Sequence, residues 1–287
     1  MSAKKPEISI VLPTFHEEKY LPVCLSSIAS CDFPKKDLEI IIVDSCSSDK
    51  TREIAKSFGA KVLLLRKRGI VLARQKGTLA ASGKIIISAD ADCVYPSDWL
   101  KRMVSHFSDS KVVGVAGWYK WRTESIPLKI TASIIKSLLI LGYFLFGRAF
   151  NMTAQNFAFR KEAFLKIGGY NLKIPFVGDE LDFLFRLEKH GKVVFDPKIL
   201  TCSSTRFFAG KGSLSTIFFK ELLFKVVPNY FSMLLLGKIL VNPETYHTER
   251  GESSPTIFPA IQNLSLQRTK LASLLVKKLS RTLNEKT

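Results

Sequence analysis

Short apolar runs alternate with longer polar stretches through the first 120 residues, and that alternation leaves the chain few folds to choose from. Ile8–Leu12, Leu38–Val43, Val62–Leu65 and Lys84–Ser88 have strand length, are rich in β-branched residues and Leu, and carry almost no polar interruption. Strands covered on both faces read this way, whereas a strand with one wet face alternates. Between them Lys19–Ser30, Lys50–Phe58 and Ile70–Ala81 read as helices. Asp49 stands where an N-cap belongs, and Gly59 and Gly83 stand where helices stop. Repeated strand–helix–strand units with short links require right-handed crossovers and a parallel sheet. The expected fold class is therefore α/β, a Rossmann-like, doubly wound, mostly parallel sheet whose ligands bind beyond the carboxyl ends of its strands.

The rest of the chain has another character. Val112–Gly117 and Asn156–Arg160 are strand candidates, and Lys161–Ile167 is a short helix ended by Gly168 and Gly169. Asp179–His190 reads as a helix with Leu181, Leu184, Phe185 and Leu187 on its apolar face and Gly191 as its stop. Beyond Thr201 the pattern is mostly helical, with a polar linker at His247–Pro259 and a basic amphipathic helix at Leu264–Leu283. These features divide the chain into an α/β domain over residues 1–210 and a helical, basic C-terminal extension over 211–287.

Charge limits the partners. The chain carries a formal +18, with 12 basic and 5 acidic residues from Thr201 onward against 31 and 20 in the first 200, so the extension is the denser cationic part. Anionic partners are favoured: phosphorylated substrates, nucleic acid or an acidic membrane face. Five cysteines (Cys24, Cys31, Cys46, Cys93 and Cys202) show no CxxC or paired metal spacing, which fits a reduced, cytoplasmic setting. Met1–Pro6 is charged and runs straight into a strand, so nothing supports a secretion signal. A spanning helix needs roughly 20 nearly uninterrupted apolar residues. Ile126–Phe146 is broken by Lys129 and Lys136, and Ile217–Val241 by Lys220, Glu221, Lys225, Pro228 and Lys238, so both read as buried or interfacial helices.

Chemistry concentrates at strand ends. Asp90-Ala91-Asp92 follows the strand Ile85–Ser88, and alternate residues of an extended chain point the same way. Two carboxylates on one side suit a hard divalent cation, which neutralises charge on a diphosphate leaving group. Asp44 ends the strand Ile40–Val43, where a carboxylate accepts hydrogen bonds from a nucleobase edge or a ribose hydroxyl. Asp179-Glu180-Leu181-Asp182 opens a helix, where the dipole favours carboxylates in any role and where one of them can act as a general base. His16 and His190 read as ordinary surface or core residues.

Taken in order, Ile10-Val11-Leu12-Pro13-Thr14 with Glu17, Val43-Asp44 with Ser45, Ser47, Asp49 and Thr51, Gly69–Gly77 with Ala73-Arg74-Gln75-Lys76-Gly77, Asp90-Ala91-Asp92, and Gly178-Asp179-Glu180 before Arg186-Leu187 resemble the family 2 glycosyltransferases of the GT-A fold. The likeness spans residues 7 to 210. It implies that Pro13, Thr14 and Glu17 line the pocket for base and ribose, that Asp44 contacts the base, and that Arg74 meets the ribose or phosphates of the donor. It places Asp90 on the ribose or metal side and Asp92 on the cation, Mg²⁺ or Mn²⁺. The acidic pair would supply the base of a single displacement with inversion, of hexosyltransferase type. Register assigns that base to Glu180, while the family's usual Glu-Asp order points by side-chain type to Asp179. Ser203-Ser204-Thr205-Arg206-Phe207 resembles a segment of membrane-associated relatives, in which Arg206 would contact the diphosphate. No QxxRW pattern follows, which argues against a processive polymer synthase.

The implied partners are a nucleoside-diphosphate sugar, a sugar or polyprenyl-linked acceptor and an anionic membrane surface, with no nucleic acid. The implied location is peripheral, on the inner face of the cell membrane. A nucleotidyltransferase is the enzymatic rival, but it needs a Gly-rich phosphate loop after the first strand and Pro13–Glu18 has no glycine. A basic nucleic-acid or membrane-surface binding protein is the other, but the sheet region lacks interleaved aromatic and basic residues and such a protein needs no carboxylates around a crevice.

Overall fold

The structure, a computed structural model, describes residues 6–123, 153–174 and 179–206 and a few positions between 126 and 140. One eight-stranded sheet organises them: β1 (Ile8–Thr14), β2 (Leu38–Asp44), β3 (Lys61–Leu64), β4 (Ile85–Ala89), β5 (Cys93–Val94), β6 (Val112–Trp121), β7 (Asn156–Arg160) and β8 (Lys192–Ser203). The order is β3-β2-β1-β4-β7-β6-β8-β5. β1 to β4 pair in parallel, as the apolar runs predict. β7 runs antiparallel to both β4 and β6, and β5 antiparallel to β8, so the sheet is mixed beyond β4.

Side-chain alternation along the buried strands splits the core in two. Ile8, Ile10 and Leu12 of β1 join one cluster with Leu21, Leu25 and Ile28 of the Leu21–Ala29 helix and Trp99, Leu100 and Met103 of the Trp99–Ser105 helix. Val11, Ile41 and Val43 face the other way, onto Val71 and Ala73 of the Ile70–Ala80 helix, in a cluster that also holds Phe157, Phe159, Phe183, Leu184 and Leu187. Close approach needs glycine at two places. A Cβ on Gly77 would stand 2.4 Å from Val11 Cγ1, and one on Gly83 would stand 2.6 Å from the Ser9 nitrogen. Gly83 thus lets the chain pass the backbone of β1 three residues beyond the helix end, and is not the helix stop that its position suggests. Gly59, with φ of +74°, and Gly168 and Gly169, at +75° and +78°, do stand at helix ends.

Three further expectations change. β8 went unrecognised because Asp196-Pro197-Lys198 interrupts it, and its pairing with β6 shifts register between Gly117 and Trp118, where proline is tolerated. The strand persists through Ser203, so the helical reading from Thr201 fails for those first residues. The Asp179–Glu188 helix buries Phe183, Leu184 and Leu187, while Leu181 and Phe185 are only partly covered. Glu180 lies at i, i+3, i+4 and i+7 spacing with the three buried residues, hence on the inward side. Among the described residues no helix is long and apolar enough to cross a membrane. Most of Ile126–Phe146, all of Ile217–Val241, His247–Pro259 and Leu264–Leu283, and the extension 211–287 lie outside them.

Candidate active site

Parallel pairing brings the carboxyl ends of β1, β2 and β4 side by side, and the residues singled out from the sequence gather there. Asp44 ends β2 fully buried. Its Oδ1 accepts from Thr14 Oγ1 at 3.3 Å and from Ser47 Oγ, and its Oδ2 accepts the Ser47 N–H at 3.0 Å. The loop after β1 is stitched to the loop after β2: the His16 N–H donates to Ser47 Oγ at 2.9 Å and the Glu17 N–H to Thr51 Oγ1 at 2.7 Å. Asp49 is not the N-cap expected from its position: the helix begins at Thr51 with Lys50 preceding it, and Asp49, one residue earlier, accepts the Thr51 N–H at 3.1 Å in a local turn. His16 itself is exposed and adopts φ of +53°, as a tight turn requires.

At the end of β4, Asp90 and Asp92 part to different cations. Arg74 Nη2 donates to Asp90 Oδ1 at 3.2 Å, and Arg74 Nη1 lies 3.7 Å from Asp179 Oδ2. The Arg74 side chain is only 4% exposed, so its charge is spent inside the protein on these two carboxylates. Burial works against that charge, but Asp90, Asp179 and Glu180 outweigh it and hold the guanidinium protonated. Arg206 spans the mouth of the crevice. It donates from Nε to Asp92 Oδ2 at 2.8 Å and from both terminal nitrogens to the Glu17 carboxylate, one contact measuring 2.7 Å, with its guanidinium 4.8 Å from the Tyr20 ring centre. Ser204 Oγ adds a bond to Asp92 Oδ2 at 2.7 Å.

The two members of the acidic pair have different surroundings. Asp179 is buried and its Oδ2 has no hydrogen-bond donor, only the longer ion pair to Arg74. Burial raises its pKa and Arg74 opposes the rise. Glu180 is half-covered by area yet lies deep in the crevice, where burial first and then the Asp179 charge push its pKa up to about 8, against the Arg74 charge and a 2.8 Å hydrogen bond from the Ala154 N–H to Oε1. Asp90 is raised too, by burial foremost, with Arg74 in opposition.

Sequence reasoning missed the supports of this constellation. Tyr170 stacks on Phe183 of the acid-bearing helix, with ring centres 4.4 Å apart. Its N–H is held by Gln75 Oε1 at 2.9 Å, from the residue next to Arg74. Arg186 Nη1 clamps the same turn through the Gly169 carbonyl at 2.6 Å. Tyr119 of β6 is partly covered, and burial followed by the Glu180 charge raises its pKa. Gln75 and Arg186 stand in the ordered motifs that carry the family resemblance, though nothing there gives their partners, and Tyr119 and Tyr170 carry no such signal, because each contact spans more than 10 residues of chain.

Asp90 and Asp92 satisfy the donor chemistry of a hard cation, and Asp90 feels the charge of Asp92. Among the described residues no group of three or more His, Cys, Asp or Glu stands ready to enclose a metal. The fit is therefore to an ion held by one or two carboxylates and completed by phosphate oxygens and water, the habit of Mg²⁺ and Mn²⁺ at diphosphates.

A family model described as Glycosyl transferase family 2 matches residues 9–168, more than half of the chain. The glycosyltransferase AglE of Haloferax volcanii is 32% identical over 123 residues, which are 41% of this chain and 40% of that protein, so the chain matches well under half of that relative's length. A dolichyl N-acetyl-alpha-D-glucosaminyl phosphate 3-beta-D-2,3-diacetamido-2,3-dideoxy-beta-D-glucuronosyltransferase of Methanococcus voltae is 28% identical over 260 residues, 80% of this chain and 77% of that one. Among solved structures, the mannosyltransferase PcManGT from Pyrobaculum calidifontis, in complex with GDP-Man and Mn²⁺, superposes with a TM-score of 0.56 at 21% identity, over 70% of this chain and 57% of that chain.

Proposed function

The chain belongs to glycosyl transferase family 2 and has the GT-A fold, and we propose that it moves a sugar from a nucleoside-diphosphate sugar to an acceptor hydroxyl with inversion at the anomeric carbon. One observation carries this reading: Arg74 touches Asp90 and Asp179 at once, so the strand-end carboxylates and the acidic pair line a single crevice. Pro13, Thr14 and Glu17 with Asp44 form its nucleotide end. Asp44 is sealed from solvent and spent on Thr14 and Ser47, so it shapes the wall against which the base edge packs.

Asp92, with Asp90 beside it, would hold Mg²⁺ or Mn²⁺, whose charge offsets that of the departing diphosphate. Arg206 supplies a second positive group at the mouth, placed to meet the same phosphates. Glu180 is the base. It is the partly exposed member of the pair, its Oε1 is fixed by the Ala154 N–H, and a pKa near 8 suits proton abstraction close to neutral pH. Asp179 serves as Arg74's buried counter-ion and raises the basicity of its neighbour. The acceptor's hydroxyl proton passes to Glu180 as its oxygen attacks the anomeric carbon from the face opposite the diphosphate.

Two tests bear on this reading. Nucleoside diphosphates with Mn²⁺ should raise the melting temperature of the wild type through linkage, and Asp92→Ala should lose the Mn²⁺-dependent part of that rise. An unchanged metal effect in the variant would remove Asp92 from the site. The acceptor is proposed to be a lipid-linked or membrane-proximal glycan or polyprenyl carrier. The dolichyl-phosphate chemistry in the Methanococcus relative's name and the basic charge of residues 211–287 support this. The protein should then float with anionic liposomes at low salt and lose that binding on removal of residues 264–287, and equal flotation without them would reject docking by that helix.

A further inference from the structure

Behind the Asp90-Ala91-Asp92 turn lies a buried phenol to which catalysis as described assigns no task. Tyr95 is 3% exposed, and its ring packs on Trp99 with centres 4.0 Å apart. Its hydroxyl oxygen accepts the Asp90 N–H at 2.9 Å and lies within donating distance of two carbonyls, Gln155 at 3.1 Å and Asp90 at 3.3 Å. A phenol has one proton to give, and the shorter, interstrand contact to Gln155 closes a bridge between the turn after β4 and the chain entering β7. Residue 154, next to the carbonyl that Tyr95 reaches, is the one whose N–H anchors Glu180 Oε1 at 2.8 Å. The Cys93 thiol strengthens the link by donating to Gln155 Oε1 at 3.1 Å. Trp99, on which Tyr95 rests, donates from Nε1 to Asn156 Oδ1 at 2.8 Å, so three consecutive residues, 154 to 156, are tied to the site or its supports.

We propose that Tyr95 is a positioning residue that sets the metal-holding turn in register with the base, by joining the Asp90 peptide to the Ala154–Gln155 segment that holds Glu180. The proposal rests on the reading of Asp90 and Asp92 as cation ligands and Glu180 as base. An inverting displacement needs leaving group and base on opposite sides of one carbon, and an error near 1 Å between them is costly. Arg74 also joins this turn to the acid-bearing helix, through a 3.2 Å hydrogen bond to Asp90 and a 3.7 Å ion pair to Asp179, but both contacts are between side chains. The phenol fixes it through directional hydrogen bonds between backbone groups that move little.

Tyr95→Phe keeps the ring and its packing and leaves the Asp90 N–H without a partner. Mn²⁺ binding, followed by the loss of the free-ion EPR signal, should weaken by roughly 10-fold or more, the scale on which outer-sphere hydrogen bonds act at metal sites. Phe107→Leu, from the same core cluster but remote from the turn, should lower the melting temperature while Mn²⁺ affinity holds. Amide exchange read by NMR on the wild type tests the link without a variant: added Mg²⁺, diamagnetic where Mn²⁺ would broaden these signals, should slow exchange at Asp90 and at Ala154 together. Equal Mn²⁺ affinity in Tyr95→Phe, or protection gained at Asp90 with none at Ala154, overturns the assignment of Tyr95 and leaves the site standing. Absence of Mn²⁺ binding in the wild type with a nucleoside diphosphate present overturns the cation site itself, and the proposal with it.

Discussion

At the end of β2, Asp44 meets two hydroxyls and a backbone N–H drawn from loops within about thirty residues of chain, with only a long 3.8 Å ion pair to the half-exposed Arg52, whereas at the start of the Asp179–Glu188 helix Asp179 shares the buried Arg74 guanidinium with Asp90 and keeps an oxygen without a donor. The first arrangement is complete before any ligand arrives and can only receive. The second stores unfavourable electrostatics: burial raises the pKa of both Asp179 and Glu180, with the Asp182 charge adding to the rise of the first and the Asp179 charge to that of the second. Recognition of a nucleotide asks for a rigid wall, and removal of a proton asks for a base that is uncomfortable when charged. On the proposed reading the parallel half of the sheet would provide the first and the mixed half the second.

The largest effect that can break this contrast is on turnover. Glu180→Gln should lower kcat by about 10²–10⁴-fold with nucleoside-diphosphate affinity retained, since a positioned general base is worth that much. In the wild type kcat should climb as pH rises through a value near 8, and the climb should vanish in the variant. Stability runs the other way. The folded-state pKa of Glu180 lies above its unfolded value, so below the unfolded value wild type and variant are affected alike. As pH rises toward 8 the wild type alone loses stability, and a thermal-denaturation series should show Glu180→Gln gaining on it. Undiminished turnover in the variant would return the acid to the same passive class as Asp44.

A change at Arg74 sharpens the comparison. Arg74→Met strands Asp90 and Asp179 without their cation and should destabilise the fold by about 3–5 kcal/mol, measurable by urea denaturation, with the loss shrinking at low pH as those carboxylates protonate. A loss below 1 kcal/mol would mean that the buried charges are compensated elsewhere. The smallest of the three concerns packing in the parallel half. Gly83→Ala drives a Cβ to within 2.6 Å of the β1 backbone and should cost about 1–3 kcal/mol, leaving the pH dependence of turnover unchanged because the acid is not involved.

What could be read from the chain follows from the range over which each signal acts. The four parallel strands, their helices and the strand-end positions of Asp44, Asp90 and Asp92 were legible because apolar runs, caps and period are local properties, and a buried parallel strand tolerates almost no polar residue. β8 was not, since Pro197 and two charged neighbours look like a loop until the register shift opposite Gly117 and Trp118 accommodates them. Even the identity of the base stayed divided between Asp179 and Glu180 on sequence grounds, because neighbouring residues in a first turn share the same dipole and the same composition.

Only the folded molecule supports a choice between them. Helix geometry turns Asp179 onto Arg74 and Glu180 toward the Ala154 N–H, and the resulting difference in exposure and partners, not residue type, is the ground for the different roles proposed for them. Likewise Tyr95, Gln75, Tyr170 and the Arg206 bridge between Glu17 and Asp92 owe their roles to contacts made across the fold, up to 189 positions apart in the chain. The sequence by itself determined that a parallel sheet would form and which acidic residues would crown it, because burial and periodicity act along the chain. The tertiary structure alone decided how those charges pair, because electrostatics and hydrogen bonding depend on distances in space.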